Sequence, residues 1–350
     1  VSMTSRGTGA APGKHDQRVM RGRARVRVPA DLISEGHHSM FTLVSRSVRR
    51  AAVVAAAVAV TATLAVTTAK VAPTSSSAPE SGQAAQTDRA LLTQQAAGEG
   101  SGLFPLLARD KNGRLFDYEP KGAGGLAAKF DLGGGYSAAT ALAQANISNN
   151  LTGTDLYAVI DGTLYYTAER GNDTKVIGTG WGAYDLLVSV GNVGGSAHPD
   201  LLARGTDGTL WLYQGKADGT LATKLRVGAS GWNGMDELAG RGDYTGDGKA
   251  DLIARSTTGT LYLYPGTGNA TADAVLGTRV TVAAQTGVAW TAYTTLVSTG
   301  DNDGDGKPDL IGADTAGALW LLKGTGKSSA PFAARTQIGT SGWGAYNLLF

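Results

Sequence analysis

Carboxylates crowd one short run of the chain, Asp301-Asn302-Asp303-Gly304-Asp305-Gly306-Lys307-Pro308-Asp309, at its positions 1, 3, 5 and 9. A hard cation such as calcium takes about six to eight oxygen ligands, and a glycine at position 6 lets a loop curl until alternate side chains converge. Gly306 supplies that glycine, and the carbonyl of Lys307 at position 7 completes the expected set of Asp301, Asp303, Asp305, Lys307 and Asp309. Four carboxylates so close together would repel one another without a counter-ion. Position 12 is Gly312 rather than Glu, and apolar strand-like sequence follows, so the run is not an EF-hand. A second copy, Asp243-Tyr244-Thr245-Gly246-Asp247-Gly248-Lys249-Ala250-Asp251, replaces one carboxylate by the Thr245 hydroxyl. It offers Asp243, Thr245, Asp247, Asp251 and the Lys249 carbonyl, a weaker set. The corresponding stretches Asn192 to Asp200 and Asn146 to Asp155 have lost most of these ligands.

The segments around these loops recur. Asp200-Leu201-Leu202-Ala203-Arg204, followed by Asp207-Gly208-Thr209-Leu210-Trp211-Leu212-Tyr213, returns from Asp251 to Tyr264 and from Asp309 to Leu322, with weaker copies at Leu106 to Tyr118 and Asp155 to Thr167. Each copy is two apolar runs about a turn, and the Asn-Gly or Asp-Gly pairs tolerate the positive φ that a tight hairpin needs. In the second run both alternating positions are apolar or aromatic, so the sequence predicts that neither face of the sheet meets water. Between the hairpins a second phrase recurs at Trp181, Trp232, Trp290 and Trp343, in steps of 51, 58 and 53 residues. Those steps suit four-stranded blades with loop insertions. After Trp343 the chain runs Asn347-Leu348-Leu349-Phe350, a first strand with no hairpin after it, while the first hairpin lacks such a strand. The expected fold is therefore all-β: a five-bladed β-propeller over 101–350 closed by the C-terminal strand, which removes two open edges.

Upstream, residues 1–39 are Arg-rich and unpatterned, as an over-extended gene start or a disordered extension would be, and are left out of the fold. Residues 40–69 join a basic segment to the uncharged run Ala51 to Ala69, the order expected of a secretory signal peptide. The alternative is a membrane anchor, which the weak apolarity of Ala and Thr disfavours. The Pro- and Ser-rich residues 70–100 read as a flexible linker. The expected product is secreted or cell-wall associated.

Gly-Asp-x-x-Gly-Asp-Gly-x-x-Asp-Leu at Gly242 to Leu252, matched at Gly300 to Leu310, resembles the FG-GAP or VCBS repeats of secreted bacterial and integrin-like propellers. In that family the Asp-rich loop is a structural calcium site. Five blades and the Gly-Trp phrase are also similar to tachylectin-type sugar-binding propellers, which implies a glycan ligand.

Composition bounds the rest. Residues 1–50 carry ten Lys and Arg against three Asp and Glu, so the remaining chain is net −5 although the whole is +2. An acidic folded part argues against nucleic acid as a partner. The chain has no cysteine, and after residue 70 its one histidine is His198, so a Ser-His-Asp or Cys-His site has little to work with. The expected function is a monomeric, non-catalytic calcium-binding module for a glycan or an extracellular or cell-envelope protein. The rival is a polysaccharide lyase or hydrolase using the propeller face. Trp181, Trp232, Trp290 and Trp343 are candidate sugar platforms, although the large area an aromatic buries favours their use as spacers between blades. Arg241-Gly242-Asp243 spells an integrin-recognition tripeptide, but its aspartate is better used as a cation ligand.

Overall fold

The computed structural model describes residues 103–147, 155–168, 174–284 and 287–350. The segments 1–39, 40–69 and 70–100 lie outside the described residues. Among those described, no helix is long and apolar enough to cross a membrane. The strands follow in chain order. Blade one contributes β1 (Leu106–Asp110), β2 (Leu115–Tyr118) and β3 (Phe130–Gly133). Blade two holds β4 (Ala139–Ala145), β5 (Asp155–Ile160), β6 (Thr163–Thr167) and β7 (Lys175–Thr179). Blade three holds β8 (Tyr184–Gly191), β9 (Asp200–Gly205), β10 (Leu210–Gln214) and β11 (Leu225–Gly228). Blade four holds β12 (Met235–Ala239), β13 (Leu252–Ser256), β14 (Leu261–Tyr264) and β15 (Val280–Val282). Blade five holds β16 (Tyr293–Gly300), β17 (Asp309–Asp314), β18 (Leu319–Leu322) and β19 (Thr336–Gly339), after which the chain ends in β20 (Tyr346–Leu349).

These make five antiparallel sheets of four strands, and the first has the order β20-β1-β2-β3. The last strand thus completes the first blade. Ala108 pairs with Leu349 and Arg109 with Leu348, and Leu107 and Phe350 exchange backbone N–H bonds of 3.0 and 2.9 Å. The expected closure is the one observed.

Five buried apolar clusters hold the molecule together, each gathering residues of two consecutive blades. Removing apolar area from water stabilises by about 25 cal/mol per Å², so the core lies in the seams rather than within any one sheet. The hairpin strands differ from expectation in one respect. Along β10, Leu210 and Leu212 are fully buried while Trp211 and Tyr213 are only half-buried, and β14 and β18 begin with the same alternation. Trp211 and Tyr213 pack against the cluster shared with blade two, and water reaches part of each ring.

A charged device crosses three of the seams. Arg255 grips Asp236 of its own blade through Nε and Nη2, both at 2.9 Å, and donates from Nη1 to the carbonyls of Trp290 (3.1 Å) and Tyr293 (2.6 Å) in the next blade. Arg204 pairs with Asp185 and reaches the Met235 carbonyl, and Arg109 bonds Asn347 and reaches the carbonyls of Tyr136 and Ala139. The equivalent strand positions in blades two and five are Val159 and Ala313, facing Ala141 and Thr295.

Candidate metal centre

Both acidic loops link the innermost strand of a blade to its second strand. In blade five the loop curls around the carboxylate of its first residue: Asp301 Oδ1 accepts the N–H groups of Gly304 (2.8 Å) and Asp305 (3.0 Å), and Oδ2 that of Gly306 (2.8 Å). Gly304 and Gly306 sit at φ +80° and +90°, the left-handed region that glycine enters without steric cost. A Cβ on Gly304 would also lie 2.8 Å from the Gly122 carbonyl of blade one, so the loop is pressed against its neighbour. Asp309, at the start of β17, is fully buried. Its Oδ2 accepts the N–H groups of Asn302 (2.9 Å) and Asp303 (3.2 Å), and its Oδ1 that of Gly324 (2.8 Å).

Carboxylate oxygens of Asp301, Asp303 and Asp309 lie within 4.8 Å of one another. Asp305 stands apart from this group: its Oδ1 accepts the Lys307 N–H at 2.9 Å and its Oδ2 meets Lys307 Nζ at 3.1 Å. Asp303 carries a second neighbour that sequence reasoning missed, the ammonium of Lys323 at 2.7 Å.

Blade four repeats the arrangement. Asp243 Oδ1 accepts the N–H groups of Thr245, Gly246 and Asp247 and the Thr245 hydroxyl (3.1 Å), and its Oδ2 accepts Gly248 N–H at 2.6 Å. Asp251 Oδ2 accepts from Tyr244 (2.8 Å) and Thr245 (2.9 Å), and Oδ1 from Gly266 (2.9 Å). Here Asp243, Asp247 and Asp251 form the group within 4.8 Å, and Asp247 Oδ1 also accepts the Lys249 N–H at 3.0 Å.

Burial pushes the carboxyls of Asp251 and Asp309 up to about 7, against the pull of their N–H donors, with other loop carboxylates adding to the rise. Asp301 is raised as well, first by burial. Three converging carboxylates in a curled glycine-containing loop form an oxygen-only donor set of the kind that suits a hard cation. Each group could hold a metal ion.

The last aspartate of the loop has a second use, evident in the blades that lack an acidic group. Asp200 Oδ2 accepts the Gly194 N–H at 2.7 Å, and Asp155 Oδ2 the Ile147 N–H at 2.7 Å, both aspartates being fully buried. In blade three the rest of the loop is closed by Asn192 and Ser196, whose Oδ1 and N–H meet at 2.8 Å. His198 is half-buried in the same loop.

Trp181, Trp232 and Trp290 are buried and Trp343 is half-buried, each opening a single 3₁₀ turn before an inner strand. Tyrosines of the blades flank them. Trp181 lies 4.7 Å from the Tyr213 ring, Trp232 5.1 Å from Tyr264, Trp290 6.1 Å from Tyr293 and Trp343 4.5 Å from Tyr118. Phe116, Trp211, Tyr262 and Trp320 are also half-buried, and each lies under a cation. Lys129 lies 4.8 Å from the first ring, Lys224 4.2 Å from the second, Arg279 4.0 Å from the third and Arg335 3.8 Å from the fourth. The sequence carries a signal for these cations, Leu126-Ala127-Ala128-Lys129, Leu221-Ala222-Thr223-Lys224, Leu276-Gly277-Thr278-Arg279 and Phe332-Ala333-Ala334-Arg335. The first residue of each forms the same isolated bridge before the outer strand. Arg241 is buried, its guanidinium 3.9 Å from the Phe104 ring, so the Arg-Gly-Asp tripeptide is not displayed.

Residues 243–311 match the model of the FG-GAP-like repeat family. No curated protein matches the sequence. Similar solved structures include a Bacteroides caccae protein of unknown function, at 11% identity over 67% of this chain and 73% of that one, with a TM-score of 0.34. Another is the BP39L lectin of Burkholderia pseudomallei, at 13% identity over 69% of this chain and 72% of that one, with a TM-score of 0.38. The chain is thus a five-bladed β-propeller that carries FG-GAP-like repeat sequence from the acidic loop of its fourth blade to that of its fifth.

Proposed function

We propose that this protein is an exported, calcium-stabilised binding propeller without catalytic chemistry of its own. The observation that carries the reading is the convergence of two acidic groups in loops that run directly into β13 and β17. An ion there binds the folded blade and not the unfolded chain, and so stabilises the fold by about 2.7 kcal/mol at a hundredfold excess over Kd. Extracellular calcium suits such loops, since modules outside cells commonly bind it with Kd of about 10⁻⁴ to 10⁻³ M. The loop carboxylates are engaged by backbone N–H groups, which supports a structural role over general acid chemistry. The four rim aromatics with their cations supply apolar faces beside positive charge, a surface suited to a glycan bearing anionic groups. Export rests on the basic and apolar order of residues 40–69 and gives a mature chain beginning near Lys70, to be read by N-terminal sequencing of protein from the medium.

The test is thermal melting of that mature protein, with retention on acidic and neutral polysaccharides measured alongside. A chelator should lower the melting temperature and millimolar calcium restore it. Asp303→Ala should remove more of the response than Asp305→Ala, because Asp303 lies in the converging group and Asp305 does not. Identical melting with chelator and with calcium would end the cation reading, and consumption of the polysaccharide would favour the enzyme.

A further inference from the structure

The two acidic loops are joined by one buried side chain. Tyr244 stands between Asp243 and Thr245 and is fully buried. Its backbone N–H donates to Asp251 Oδ2, a carboxylate of the blade-four group. Its hydroxyl crosses the seam and lies 2.8 Å from Ser298 Oγ and 3.1 Å from the carbonyl oxygen of Asp309, with its ring edge-on to Phe332. Ser298 Oγ bonds the same carbonyl at 2.6 Å. Asp309 is a carboxylate of the blade-five group, so a single tyrosine touches one group at its backbone and the other group's residue at its ring end.

The next link continues in the same direction. In blade five the position of Tyr244 is taken by Asn302, also fully buried, whose N–H donates to Asp309 Oδ2. Its backbone carbonyl and Oδ1 accept the N–H groups of Gly124 (3.2 Å) and Gly125 (2.8 Å) in blade one. In blades two and three that position holds Ile147 and Val193, whose side chains have no hydrogen-bonding atoms. Polar links from this position into the next blade therefore accompany the two acidic loops, and apolar contacts replace them where the acidic group is missing.

We propose that the two cation sites bind with positive coupling through Tyr244. An ion held by Asp243, Asp247 and Asp251 fixes the Asp243–Thr245 backbone. This anchors the tyrosine and holds Asp309 where the blade-five ion needs it. Pre-paid ordering of this kind makes the second ion bind more tightly, and linkage requires the converse effect to be equal. The proposal rests on the cation reading above.

Calcium binding to the full mature chain, followed by titration calorimetry, tests it. Asp247→Ala disables loop four at an exposed residue outside the Tyr244 contacts, and the isotherm that remains reports loop five. Loop five should bind about 5- to 10-fold more weakly there than its stepwise constant in the parent, a coupling in the range usual between sites. In Tyr244→Phe, adding Asp247→Ala should change the loop-five constant less than twofold. Should Tyr244→Phe not fold, Ser298→Ala, which leaves the ring in place, carries the same comparison. Loop-five constants unmoved by Asp247→Ala, or moved equally with and without the hydroxyl, overturn the coupling and leave the cation reading standing. A parent chain that binds no calcium overturns both.

Discussion

A carboxylate that latches a loop from a buried position is under opposing demands at the scale of a single residue. Asp251 and Asp309 must accept N–H groups to hold their loops, yet burial raises both to about 7. In the unfolded chain an aspartate ionises near 3.9, so around neutral pH the metal-free fold holds protons that the unfolded chain has released. Their contribution to stability is therefore full below about pH 4 and is lost as pH rises through about 7. Glu237, which burial pushes up to about 8, adds to the same slope without belonging to an acidic loop. Surface carboxylates held low, such as Asp273 beside Arg226 and Asp131 beside Arg114, act only in the acid range. Melting measured in chelator should thus fall from pH 5 to pH 8, and calcium should remove most of that fall, the remainder belonging to Glu237. A flat profile in chelator would show that the two aspartates ionise normally. That the carboxylates of each loop converge was legible in the sequence, because spacing alone dictates which side chains share the inside of a curled loop. The outward turn of Asp305 toward Lys307 was not, nor was the ammonium of Lys323 beside Asp303. Both depend on rotamers and on a strand that arrives later in the chain.

Strands and turns in this ring are short, and the links between them carry more than the propensity of any one element. Arg255 is the clearest case, since its side chain is 6% exposed and joins β13 to two carbonyls at the mouth of the next blade. Removing it leaves Asp236 without its forked partner and two carbonyls short of a donor. Arg255→Ala should cost about 2 kcal/mol, below the range for a fully buried pair because water screens Asp236. Lysine cannot reproduce the fork, so Arg255→Lys should recover only part of the loss. Arg114→Ala, at a pair about half exposed on both sides and screened by solvent, should shift the midpoint far less. Denaturant unfolding of the three variants checks the order, and equal midpoints for Arg255→Ala and Arg114→Ala would show that the seam link adds nothing. The dipeptide Ala-Arg after a branched aliphatic residue recurs openly in the sequence at Arg109, Arg204 and Arg255, and it was read as part of a strand rather than as a cross-blade contact. Repetition reveals that a residue has a role in every blade, while which neighbouring blade it reaches follows only from the sense in which the ring turns.

The whole molecule is stabilised by closure, and this part of the fold was the most legible: five hairpins, the Trp-marked strands between them and a lone terminal strand leave one consistent assembly. Deleting residues 343–350 removes β20, the Trp343 ring beside Tyr118 and the Asn347 partner of Arg109. It also bares the edge of β1 and the apolar cluster between blades five and one. The truncated chain should aggregate or melt well over 10 °C lower, as expected when several kcal/mol are lost from a domain whose melting temperature moves by about 2–4 °C per kcal/mol. A truncation that melts like the parent would sink the closed ring as the source of stability. The joint itself is small. The Gln144 side-chain amide donates to the Pro105 carbonyl at 3.0 Å and to the Phe350 carbonyl at 2.6 Å, so the two ends of the propeller meet on one nitrogen of blade two. Ends so close lend themselves to circular permutation. A few residues bridging Phe350 to Leu103 would make the propeller a continuous hoop, and a new break placed in any exposed hairpin turn would move the chain ends to another blade while leaving every strand pair in place.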